Sequence, residues 1–77
     1  MNKFAIGNNI VEYLRRNHMS QKQLAEKINV IEASMSRWCA GTRQPSVYAL
    51  RRMSLVLNCT MEDLTYGLLE EHEYDNS

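Results

Sequence analysis

The feature that most constrains this chain is a pair of short amphipathic stretches that meet at a single asparagine. From Ser20 to Ala40, Leu24, Ala25 and Ile28 recur at helical spacing, Asn29 and Val30 follow, and Met35 and Trp38 recur again. That spacing gives each of two successive helices one apolar face. Helices this short are marginal alone, so both must pack on a shared core. Ala25 is small enough to let the two helices cross closely. Asn29 tolerates the left-handed backbone that a tight turn between them requires. Met35 and Trp38 then anchor the second helix by its inner side, which leaves its opposite side free.

The flanking sequence supplies further helices. The first runs from about Ala5 to Asn17, with Ile6, Ile10, Tyr13 and Leu14 inward and Asn9, Glu12, Arg15 and Arg16 mostly outward; Asn17 and His18 break its pattern. Ser20 and Gln23 have capping-box spacing at the start of the second helix, where Met19 can pack on Leu24. The third covers about Glu32 to Ala40 and stops at Gly41. After the loop Gly41-Thr42-Arg43-Gln44-Pro45, Ser46 caps a fourth helix with Leu50, Met53 and Leu57 inward and Asn58 at its end. Thr60 and Asp63 repeat the capping-box spacing for a fifth helix carrying Leu64 and Leu68. No stretch alternates with period two, so the expected class is all-α, a compact five-helix bundle.

Composition narrows the function classes. Seventy-seven residues, 44 % of them hydrophobic, build one modest core. No nucleophile–base pair, carboxylate dyad or phosphate-cradling glycine loop stands out, so the chain does not read as an enzyme and no cofactor is implied. Cys39 and Cys59 lack CxxC spacing and do not pair with His18 or His72 as metal ligands; they read as reduced small hydrophobes. No apolar run reaches the roughly 18 residues of a membrane span and no leader pattern is visible, so the expected location is cytoplasmic. The zero net charge conceals an asymmetry. Residues 1–60 hold nine basic and three acidic residues, a surplus of +6, while residues 61–77 hold six acidic residues and no Lys or Arg, giving −6. A basic body suits a polyanion, and an acidic tail either turns away from it or is simply solvated. The domain is expected to span 1–69, with 70–77 a frayed acidic tail.

Three segments together resemble the Cro and phage-repressor (XRE-like) helix-turn-helix family. They are Met19-Ser20-Gln21-Lys22-Gln23-Leu24-Ala25-Glu26-Lys27-Ile28, then Ser34-Met35-Ser36-Arg37-Trp38, then Gly41-Thr42-Arg43-Gln44-Pro45-Ser46, with Leu50 and Leu57 beyond them. The likeness covers residues 6 to 68. It implies a lambda-repressor-like DNA-binding domain with the helix-turn-helix in the second and third helices. The chain departs from that pattern at three places. Asn29 stands where the family usually has glycine. Ile31 stands at the recognition-helix N-cap, where Ser or Thr is usual, with Glu32 able to compensate through the helix dipole. Leu14 and Cys39 replace a buried arginine–glutamate pair, an exchange that is tolerated when both partners go together; these two are expected in or near contact.

The resemblance further implies that Glu32, Ala33, Ser36 and Arg37 reach base edges. Arg37 has the donors for guanine O6 and N7, Ala33 suits a thymine methyl, and Glu32 serves either cytosine N4 or the helix dipole. Gln21, Ser34, Thr42, Arg43 and Gln44 are the expected phosphate contacts, although Arg43 in a loop also fits a solvated charge. The implied partner is double-stranded DNA, bound by a homodimer on a pseudo-palindromic operator. Its dimer surface is expected to involve the Thr42–Ser46 loop with the fifth helix and Tyr66, Leu68 and Leu69. A transcriptional regulator, repressor more than activator, is one reading. The other is an antitoxin or protein-interaction adaptor whose acidic stretch Glu70–Asp75 engages a basic partner.

Overall fold

Three hydroxyl side chains set where helices begin in the computed structural model, which describes residues 5–66 and, at Ala5, the backbone alone. Helix α1 is Ala5–Arg16, α2 Gln21–Lys27, α3 Glu32–Ala40, α4 Val47–Leu57 and α5 Met61–Thr65. Ser20, Ser46 and Thr60 precede α2, α4 and α5 in extended backbone, and their hydroxyls accept from the amides of Gln23, Ala49 and Asp63. Each bond satisfies a first-turn N–H that has no partner within its helix. Gln23 and Asp63 return the bond to the cap amides at 2.8 and 2.9 Å, completing both expected boxes. The helix ends also follow local chemistry. Asn58 and Gly41 close α4 and α3 in the left-handed region, and Asn29 turns the chain between α2 and α3 at φ 62°.

Among the described residues there is no strand, and none of the helices is long and apolar enough to cross a membrane. The helices surround one core: Ile6, Ile10 and Leu14 from α1, Leu24, Ala25 and Ile28 from the second segment, Met35 from α3, Ala49, Leu50, Met53 and Leu57 from α4, and Leu64 from α5. Burying each large aliphatic side chain contributes about 1.5–3 kcal/mol before chain entropy is counted, so this cluster is the main favourable term. Helix α1 is its hub. It packs on α3 and α5, and two asparagines, one within it and one just after it, fasten it to the ends of α5 and α4. Asn9 Nδ2 donates to the carbonyls of Leu64 and Tyr66 at 2.8 and 2.9 Å, and Asn17 Nδ2 donates to those of Tyr13 and Leu57 at 2.7 and 3.1 Å.

Some details differ from the sequence-based expectation and others add to it. Helix α1 stops at Arg16 because Asn17 and His18 leave the helix, His18 with φ 52°. Tyr13 is half-buried, its ring covered by the Arg16 guanidinium 4.7 Å from the centroid. Trp38 packs on the core but is half-exposed. Leu14 is buried and Cys39 half-buried on the same core. The approach of α1 to the end of α3 is set at Gly7, where a Cβ would lie 2.5 Å from the Cys39 carbonyl oxygen and 2.6 Å from that of Trp38. Leu68 lies outside the described residues.

Candidate nucleic-acid interface

The placement of α3 follows from which of its residues face the core. Met35 is fully buried and Trp38 and Cys39 are half-buried, whereas Glu32, Ala33, Ser36 and Arg37 are exposed. At 100° per residue these four fall within an arc of about 140° on the helix surface. The arc is left bare by α1 and α2, the helices that pack against α3. All four candidate base-reading residues therefore share one free edge.

Beside that edge, Ser34, Arg37, Trp38, Arg43 and Gln44 line an open cleft of about 280 Å³. It exists because the chain folds back after α3. Gly41 adopts φ 81°, its amide donates to the Trp38 carbonyl at 3.2 Å, and the Thr42 and Arg43 amides donate to the Arg37 carbonyl at 3.1 and 3.4 Å. These bonds satisfy C-terminal carbonyls of α3 and bring Arg43 alongside Arg37. Among the described residues, the ion pairs are those of Glu12 with Arg15 and Arg16. Arg37 and Arg43 thus share the cleft with no carboxylate partner among the described residues. Two guanidiniums beside a hydroxyl and an amide form a polar seam suited to an anion, with Trp38 in its lining.

Ser34, Arg43 and Gln44, three of the expected phosphate contacts, are brought together in the cleft with Arg37. Thr42 takes a different place: its hydroxyl donates to the Arg37 carbonyl at 3.3 Å, so it shapes the loop. Gln21 is half-buried in the first turn of α2, outside the cleft lining. Of the expected dimer residues, Tyr66 is exposed while its carbonyl holds Asn9; Leu68 and Leu69 lie outside the described residues, as does the acidic stretch Glu70–Asp75.

The thiols bring no reactive chemistry to this edge. Burial pushes the Cys39 thiol up to about 11, and burial together with the nearby Asp63 carboxylate raises that of Cys59. Both stay protonated at neutral pH and pack as small apolar groups.

Three features were missed from the sequence. Gly7 seats α3, and its signal was available: a glycine inside a helix costs about 1 kcal/mol relative to alanine, which marks a close backbone approach. Trp38 walls the cleft as well as meeting the core, which apolar periodicity does not distinguish. On α4, Val47, Tyr48 and Leu55 are exposed large apolar residues, with the Arg52 guanidinium 5.6 Å from the Tyr48 ring centroid.

A family model described as helix-turn-helix matches residues 10–64. No curated protein and no solved structure matches the chain.

Proposed function

This chain belongs to the Cro- and phage-repressor-type helix-turn-helix family of DNA-binding regulatory domains, and from that premise we propose that it is a sequence-specific transcriptional regulator that docks α3 in the major groove. The observation that carries the proposal is the bare arc of α3 above fully buried Met35, with a cationic cleft beside it. Arg37 donates to guanine O6 and N7, Ala33 meets a thymine methyl, and Glu32 and Ser36 complete the reading edge. Arg43, Gln44 and Ser34 hold phosphate oxygens from the cleft, Gln21 does so from the first turn of α2, and Thr42 joins them when its hydroxyl releases the Arg37 carbonyl.

The regulator acts as a homodimer, placing two α3 helices about 34 Å apart on a pseudo-palindromic operator, and represses by occupying it. Support for this dimer comes from Val47 and Tyr48, exposed directly after the Gly41–Ser46 loop, and from exposed Tyr66. With Leu68 and Leu69 these residues form the proposed contact between copies.

Selection of bound sequences from a random duplex library tests the proposal. The expected result is a two-fold symmetric consensus that contains a guanine at which Arg37→Ala loses preference, at a cost of about 1–3 kcal/mol. Affinity should also fall steeply with salt, less so in Arg43→Ala. Equal binding to all duplexes would overturn the reading.

A further inference from the structure

Helices α2, α4 and α5 each begin with a hydroxyl residue that accepts from the first turn, whereas α3 begins with Ile31, which makes no side-chain cap bond. A hydroxyl at an N-cap stabilises a helix by about 1 kcal/mol. Ile31 provides none of this and is not repaid by burial, since its side chain is 68 % exposed. Its backbone, at φ −75° and ψ 149°, is the extended conformation that Ser20, Ser46 and Thr60 also adopt. Nothing local therefore bars a serine there. The Ile31 carbonyl still starts the helix, accepting from Ser34 and Met35 at 3.1 and 3.3 Å, so the departure is confined to the side chain. The residues that follow it, Glu32 and Ala33, lie on the exposed arc.

We infer that Ile31 is a specificity-determining residue that packs on the 5-methyl group of a thymine. The inference rests on the groove-docking reading above. In the major groove the base edges present hydrogen-bonding groups and one apolar group, the thymine methyl. A branched apolar side chain at the leading end of α3 has that methyl as its complement. Ala33 is too short to cover the same area. The helix cap is given up so that an apolar group can stand at the groove.

The test uses the full chain and its selected duplex, with thymines replaced one at a time by deoxyuridine, which removes the methyl and leaves the hydrogen-bonding groups. Apart from the thymine that Ala33 meets, the wild type should bind about fourfold more weakly at one further position, the worth of one buried methyl group. Ile31→Ser should bind the thymine and uracil duplexes alike at that position and keep the preference contributed by Arg37. It should also melt at a higher temperature, because the hydroxyl restores the cap. This opposite movement of stability and discrimination separates a reading role from a structural one. The inference is overturned if uracil weakens the wild type nowhere, if Ile31→Ser retains the discrimination, or if Ala33→Ser abolishes it instead. A wild type that selects no consensus sinks the groove-docking reading, and this inference with it.

Discussion

The two helices of the turn motif are held by opposite means. Helix α2 is secured mainly by its own sequence: a complete capping box at its start, Leu24 and Ala25 buried along it, and Ile28 and Asn29 closing its end. Helix α3 has no side-chain cap and contributes one fully buried large side chain, Met35, with half-buried Trp38 and Cys39 beside it; it packs on α1, at Gly7, and on α2, and is closed by the folded-back loop. A helix held from outside keeps its own exposed positions free of structural duty. Substitutions at the exposed Glu32, Ala33, Ser36 and Arg37, the proposed reading edge, should therefore leave the fold unchanged.

The largest effect should come from removing the one deep anchor of α3. Met35→Ala should destabilise the protein by about 2–5 kcal/mol, the range for large core truncations, measured by urea denaturation. A loss under 1 kcal/mol would mean that α3 is not anchored as described. Gly7→Ala adds a methyl against two backbone carbonyls that cannot turn aside. Destabilisation of about 1–3 kcal/mol is expected, together with weakened duplex binding as α3 is pushed from its seat. Wild-type stability and affinity in this variant would remove α1 from the comparison.

On the other side of the contrast, Ser20→Ala deletes the cap of α2 and should cost about 1 kcal/mol in the same assay, with the ranking of duplex sequences unchanged. An altered ranking would show that the two helices are not independent. The smallest effect distinguishes the two boxes by charge. Bonds from the Thr60 amide and hydroxyl side hold the Asp63 carboxyl below its ordinary value. A carboxyl lowered in this way stabilises the fold above its unfolded pKa, and the contribution is lost as pH falls through the folded value. Gln23 does not titrate. Amide exchange in α5 should therefore quicken as pH is lowered below the ordinary carboxylate range, once corrected for intrinsic rates, while exchange in α2 follows the global stability. Asp63→Asn should remove the difference.

Much of the fold was legible because its punctuation is local. Ser20 with Gln23, Thr60 with Asp63, and Asn58 and Gly41 at helix ends act within four residues, and each was placed from sequence. The exposed arc of α3 was equally legible, since helical period and apolar identity assign Met35 inward and Ser36 and Arg37 outward. The cleft was legible in its residues and not in its form. Ser34, Arg43 and Gln44 were named singly, but their meeting with Arg37 depends on a loop folded back by bonds to the Arg37 and Trp38 carbonyls. At His18 the sequence marked only the break after α1, although histidine is among the non-glycine residues enriched at positive φ.

By itself, then, the sequence determined the five described helices, the caps that start α2, α4 and α5, and the face each turns to the core, because hydrogen bonds and periodicity over a few residues suffice to specify them; the ends of α1 and α5, at Arg16 and Thr65, fell short of the expected Asn17 and Leu68. Tertiary structure decided how α3 is carried. Gly7 meets Trp38 and Cys39 across more than thirty residues of chain, and Asn9 reaches Leu64 and Tyr66 across more than fifty. Such contacts depend on how helices cross. A pattern read along one chain segment holds no information on the distance between two backbones until both are packed on the same core.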